Sequence, residues 1–263
     1  MIHLLKLGNM KLLIPLEAAS ISLVFLALVF IPMEKVFPAR QQKIFRTGLR
    51  MDFYFFLGQY VLWSAWVLWC MQYVQAFCNT WISDGFQFQV QRLPWLLQAG
   101  IVLVFSDMLI YWAHRLQHKV DFLWRFHKVH HSAEELDWLA AHREHPLDSL
   151  YTIGLINLPA MILGFPLSSI AAVIAFRGIW AIFIHSNVKI NLGPLKWFIG
   201  SPELHHWHHD LNRSAGNYAN VSPLMDIIFG TYHCPGEYPE AYGIKEDTPD
   251  TYLGHMVEPL FKK

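Results

Sequence analysis

Long uninterrupted apolar runs constrain this chain more than any other feature, because about 20 mostly apolar residues in a row match the hydrocarbon thickness of a bilayer. Leu12 to Ile31 is such a run, broken only by Glu17 and serines, and Phe53 to Phe77 and Leu93 to Ala113 are two more. Leu150 to Ile184 is too long for one crossing, and Pro159, Gly164 and Pro166 near its middle predict a hairpin of two short helices that enters and leaves on one side. With 54% hydrophobic and 15% charged residues, the 263-residue chain is too apolar for an ordinary soluble domain. Lys6 and Lys11 ahead of the first run admit a secretory signal peptide, but the run is long and no small-residue cleavage site follows it.

The loop after the first run carries Lys35, Arg40, Lys43, Arg46 and Arg50, whereas Cys78 to Arg92 holds one basic residue. Basic loops stay on the cytoplasmic side, so counting crossings places Met1 outside and the segments 114–145 and 185–263 in the cytoplasm. The expected fold is all-α, an integral membrane bundle of four or five helices, two of them a short hairpin, under a cytoplasmic histidine-rich helical cap. Net charge is zero and no basic patch is dense enough for nucleic acid, which leaves lipid and other membrane proteins as partners. Cys70, Cys78 and Cys234 form neither a metal-type pair nor a disulfide framework. Trp112, Trp138, Trp197 and Trp207 are predicted at the membrane interface or the lipid entrance.

Twelve of the fifteen histidines lie between positions 114 and 209, so the enrichment is local. His114 and His118 are spaced i, i+4 at the end of the third run, which puts both rings on one helix face. His127, His130 and His131 repeat the pattern as i, i+3, i+4, and His205, His208 and His209 do so again. A lone histidine is most often a hydrogen-bonded structural residue, but eight converging imidazoles repel one another once protonated and need something to bind them. One tetrahedral metal takes at most four protein ligands, so the set implies two metals. No His-Glu-x-x-His is present, since Arg115 follows His114, and imidazole suits iron, zinc and copper alike. A dinuclear site beside lipid favours redox chemistry on an unactivated carbon. Asp107 and Tyr111 continue the stripe of His114 and His118 into the membrane. A carboxylate there is costly alone, so Asp107 is expected either to accept a ligand histidine N–H or to pair with an arginine.

These residues resemble the fatty acid hydroxylase superfamily, the group that includes sterol desaturases and C4-methyl sterol oxidases. The likeness runs from about Phe105 to Tyr232, roughly half the chain. It is carried by Asp107 through His118, Trp124 through Ser132, Arg143-Glu-His145-Pro146-Leu147, His185-Ser186-Asn187, His205 through Asp210, Gly216-Asn217-Tyr218 and Asp226 through Tyr232. It implies a di-iron centre held by the three histidine boxes, with His185 as a further ligand between them. Some members place two histidines four apart at that point, but position 189 here is Lys189, and His145 is expected to fill the place. His142, His206 and His233 fall outside the boxes, and His206 is read as supporting its neighbours. Asn217 and Asp226 are expected to orient ligand imidazoles or to cap helices.

The resemblance makes residues 1–92 N-terminal membrane helices with their loops, and 93–263 the catalytic domain. It implies hydroxylation of a lipid C–H bond (acyl chain, sterol-like or carotenoid) with O2 and two electrons from a separate reductase or electron carrier, in a bacterial inner membrane or the endoplasmic reticulum. The chain has no haem-attachment motif and no Gly-rich nucleotide fingerprint of its own. Desaturation by the same centre is the alternative within the family. A non-catalytic metal-binding or metal-transport protein is the alternative outside it, and a member that kept the fold and lost activity is a third.

Overall fold

The computed structural model describes residues 2–165, 170–212 and 216–261, with side chains described from residue 14 onward. Pro166 and the side chains of Lys6 and Lys11 lie outside the described residues. The architecture is all-α. Among the described residues there is no strand, only the isolated bridges Pro38 to Val188 and Asp210 to Tyr242.

Three helices are long and apolar enough to cross a membrane, in Ile14–Val36, Leu49–Asn79 and Trp95–Gln117. The first belongs to α1, Ile2–Val36, which runs through Pro15 and Pro32. The second is composite. It joins α2, Leu49–Gly58, to α3, Ser64–Asn79, through a wider π turn at Gln59–Trp63. Here the side chain of Tyr252 seats so tightly that a Cβ on Gly58 would collide with its hydroxyl, and Trp63 Nε1 donates to that hydroxyl at 2.9 Å. The stretch read as a loop, Cys78 to Arg92, contains a further helix, α4, Asp84–Gln91. Ser83 caps it by accepting the Phe86 N–H, and Asp84 sits in its first turn, where a carboxylate is favoured. The third crossing is α5, Trp95–Gln117, followed by α6, Asp121–His131.

The segment predicted as a hairpin holds two helices, α7, Pro146–Ile162, and α8, Ala171–His185. Pro159 does not break it, being accommodated inside α7, while Gly164 follows the helix end with φ 71°, a conformation glycine adopts without strain. The remaining helices are short: α9, Pro202–His208, α10, Leu224–Ile228, and α11, Tyr252–Phe261.

Apolar packing joins these elements edge to edge. Ala19, Leu26 and Phe30 of α1 meet Phe56, Trp138 and Leu139, so Trp138 is a core residue and not an interfacial one. Val67 and Met71 of α3 meet Met161 of α7, while Val102 of α5 meets Ala160, Phe165, Ile170 and Val173. The opposite faces expose Phe25, Leu28, Trp69, Phe77, Leu96 and Phe105, the surface expected of helices solvated by lipid.

Two polar devices fasten the membrane helices to the cap. Glu34, near the end of α1, accepts the backbone N–H of Trp138 and of Asn187 at 2.9 and 3.0 Å. Beside it, Asp137, Arg46, Asp52 and Arg143 form a chain of ion pairs with each side chain no more than 7% exposed. Arg46 forks onto Asp137 and reaches Asp52 at 2.6 Å, and Asp52 receives Arg143 Nε on its other oxygen at 2.6 Å. Two cations against two carboxylates leave the buried group neutral.

Candidate metal centre

The histidines converge in two groups. His114, His118, His127, His131 and His208 form one, and His130, His185, His205 and His209 the other, with the ligand atoms of each group within 4.8 Å of one another. Helical spacing explains the sorting. On α6 the i, i+4 pair His127 and His131 faces the first group while His130 faces the second, and at α9 the i, i+4 pair His205 and His209 faces the second while His208 faces the first. The groups adjoin, since the rings of His131 and His209 stack at 4.3 Å.

Hydrogen bonding fixes the state of these rings. A carbonyl oxygen can only accept, so a ring nitrogen facing one must carry the proton. His114 Nδ1 donates to the carbonyl of Tyr218 at 2.8 Å, His130 to Arg143 at 3.2 Å, His185 to Ala181 at 2.6 Å and His208 to Gly216 at 2.7 Å. His127 Nδ1 faces the carboxylate of Asp148 at 3.0 Å, and Gln117 donates to the other oxygen of Asp148 at 2.6 Å. Burial, reinforced by the neighbouring imidazoles, holds His127, His130, His131, His205, His208 and His209 well below the ordinary histidine range, so these rings are neutral.

A neutral ring protonated at Nδ1 has a bare lone pair at Nε2, and it is the Nε2 atoms that meet. In the first group they follow one another from His114 to His127, His131, His208 and His118 at 3.1 to 3.2 Å. In the second they run from His130 to His185, His205 and His209 at 2.9, 2.8 and 3.2 Å. Lone pairs facing each other at such distances repel unless a cation lies among them. Ligands about 2.1 Å from a metal and at right angles to each other are about 3.0 Å apart, so both groups fit a metal ion. Nitrogen-only donor sets suit iron, zinc or copper.

His145 is not brought to either group. It caps α7, its Nδ1 accepting the Leu147 N–H at 3.1 Å, which forces the proton onto Nε2, 3.1 Å from the carbonyl of Met256. That leaves no lone pair for a metal. The group expected to need it, around His185, has four imidazoles. His206 is likewise engaged, between the Tyr242 hydroxyl at 2.8 Å and the carbonyls of His185 and Ser186 at 3.3 and 3.1 Å.

The four supporting residues named from the sequence touch no ligand ring through a hydrogen bond. They act one link further out. Asp107 accepts the Val221 and Ser222 N–H groups at 2.9 and 2.8 Å and lies 3.7 Å from Arg177. Asp226 receives the N–H of Tyr218, whose carbonyl takes the His114 proton, and Asn217 ties Leu204 to His233 beside Gly216, whose carbonyl takes the His208 proton. Tyr111 bonds Thr231 at 3.1 Å and packs on Tyr218.

Asp148 was not anticipated, although a carboxylate in the first turn of an apolar helix is itself a signal, since burial demands a partner. Asp148→Ala is expected to weaken metal binding roughly 10–100-fold by freeing the His127 ring, with Asp148→Asn restoring much of it. Chelator competition on the purified protein measures this, and unchanged affinity in the alanine variant would refute the orienting role.

The fatty acid hydroxylase family model matches residues 99–231, half of the chain. The ornithine lipid hydroxylase of Rhizobium tropici is 34% identical over 69% of this chain and 56% of its own length. The alkylglycerol monooxygenase of Homo sapiens is 35% identical over 55% of this chain and 32% of its own. A Delta(7)-sterol 5(6)-desaturase of Gibberella zeae is 32% identical over 54% of this chain and 39% of its own. The matched stretches thus span about half or less of these curated relatives. No solved structure matches. The all-helical bundle with its two imidazole groups, and the match over residues 99–231 that contains every histidine of both, place this chain in the fatty acid hydroxylase family.

Proposed function

We propose that the protein is a membrane-embedded di-iron oxygenase that hydroxylates a C–H bond of a lipid, using O2 and two electrons from a separate donor protein. The observation that carries this is the pair of imidazole groups whose bare Nε2 atoms converge at the end of a membrane-crossing helix. Iron bound at both groups would supply activation of dioxygen and removal of hydrogen from an unactivated carbon. The chain's own part is to gather nine rings, five of them fixed in tautomer through Nδ1, and to shield them from water. His114 and His118 are the half-buried members, so substrate and oxygen approach from the α5 side. Three relatives are named for lipid oxidation, and each acts on a different lipid, which supports the lipid class.

The basic stretch Lys35 to Arg50 puts the metal groups on the cytoplasmic side, with α7 and α8 as a hairpin that brings the spans to five and residues 93–263 as the catalytic domain. A metal transporter would carry its ligands near the middle of its spans. Here they gather at span ends and beyond. Desaturation is the second reading, favoured by the sterol desaturase relative.

Protein reconstituted anaerobically with ferrous iron is expected to hold two irons per chain, and cells making it to contain a lipid heavier by one oxygen. Elemental mass spectrometry and comparative lipid extracts measure both. A lipid lighter by two hydrogens assigns desaturation instead, and absence of iron with unchanged lipids overturns the proposal.

A further inference from the structure

A cleft of about 1160 Å³ lies between α1, α2 and the segment 248–255, and none of the nine converging histidines lines it. Its lining is mixed in chemistry. Leu16, Tyr54, Leu57, Val61, Leu62 and Leu253 supply an apolar wall, along some 16 Å of helix rise from Met51 to Leu62. Arg50, Glu134 and Asp250 supply charge. Its volume exceeds the roughly 300–1,000 Å³ of ordinary small-molecule sites and has room for an acyl chain.

The charged groups of the lining are available. Arg143 also lines the cleft, but its charge belongs to the neutral quartet with Arg46, Asp52 and Asp137. Arg50, Glu134 and Asp250 are exposed, and none makes a hydrogen bond or ion pair among the described residues. One cation and two carboxylates around one opening match a ligand that brings an anionic group and an ammonium together, and disfavour a purely anionic one. The flanking helix α11 buries His255, Met256 and Pro259 and exposes Leu253, Val257, Leu260 and Phe261, the pattern of a helix lying in the membrane interface. A cleft flanked by such a helix opens near headgroup depth, where charged and apolar lining meet.

We infer that this cleft binds a zwitterionic membrane lipid, its anionic group at Arg50, its ammonium at Glu134 and Asp250, and an acyl chain along α2. The site borders the metal centre, since Ser132 follows His131 and the Arg143 carbonyl holds His130. The inference rests on the helices being membrane spans and not on the oxygenase reading.

The test is photolabelling of the full chain in nanodiscs by three lipids that share one diazirine-bearing acyl chain: phosphatidylethanolamine, phosphatidylglycerol and diacylglycerol. Peptide mapping is expected to place the phosphatidylethanolamine label on segments 51–62 and 251–253, at least about fivefold above the other two lipids, the scale of one exposed charge pair. Arg50→Ala and Asp250→Asn, both at exposed positions, should abolish the headgroup preference while leaving diacylglycerol labelling unchanged. Equal labelling by all three lipids, or label elsewhere on the chain, overturns the inference. No turnover is read, so an inactive enzyme would leave the result intact, and a negative result here would leave the oxygenase reading untouched.

Discussion

Replacing His208 by alanine is expected to abolish lipid oxidation while the protein still inserts and folds. His208 links the first imidazole group from the cap side, its Nε2 lying 3.1 Å from that of His131 and 3.2 Å from that of His118. Removing a direct ligand should cost at least the roughly 100-fold that loss of an outer partner can cost. His114→Ala removes a ligand of the same group from the membrane side and should behave alike. Thermal unfolding supplies an independent readout. Metal binding to the native state raises its stability, so chelation should lower the midpoint of the wild type more than that of His208→Ala, whose metal is already weakly held. Turnover that survives both substitutions would eliminate the oxygenase reading.

Asp52→Ala is expected to be the most destabilising change outside the metal groups. Asp52 is fully buried and bonds both Arg46 and Arg143. Without it the buried Arg143 loses its carboxylate partner and Arg46 keeps only Asp137, and breaking a buried pair in this way costs about 3–5 kcal/mol. Denaturation in detergent, compared with the wild type at equal metal loading, measures the loss. A loss below about 1 kcal/mol, the range of an exposed ion pair, would mean that water reaches the quartet.

The spans were legible because a bilayer imposes run length, and the histidine boxes because a helix face imposes i, i+4 spacing. Which box serves which group was not. His130 and His131 are neighbours in sequence yet belong to different groups, a partition decided by how α6, α8 and α9 pack. His145 was expected to fill the place that Lys189 leaves open, but Pro146 after it starts a helix whose first turn takes its lone pair. Asp107, expected to meet a ligand histidine or an arginine, lies beside Arg177, and both it and Asp226 accept backbone N–H groups of the segment 218–222. The carbonyls that hold the ligand rings belong to Tyr218, Arg143, Ala181 and Gly216, and side-chain identity says nothing of where a carbonyl points.

The two imidazole groups are unequally sheltered. Every member of the four-histidine group is buried, whereas His114 and His118 leave the five-histidine group half open on one side. If both groups hold the proposed metal, the ion among the four buried histidines is expected to be released to a chelator more slowly than the one beside His114 and His118, so that metal loss runs in two phases.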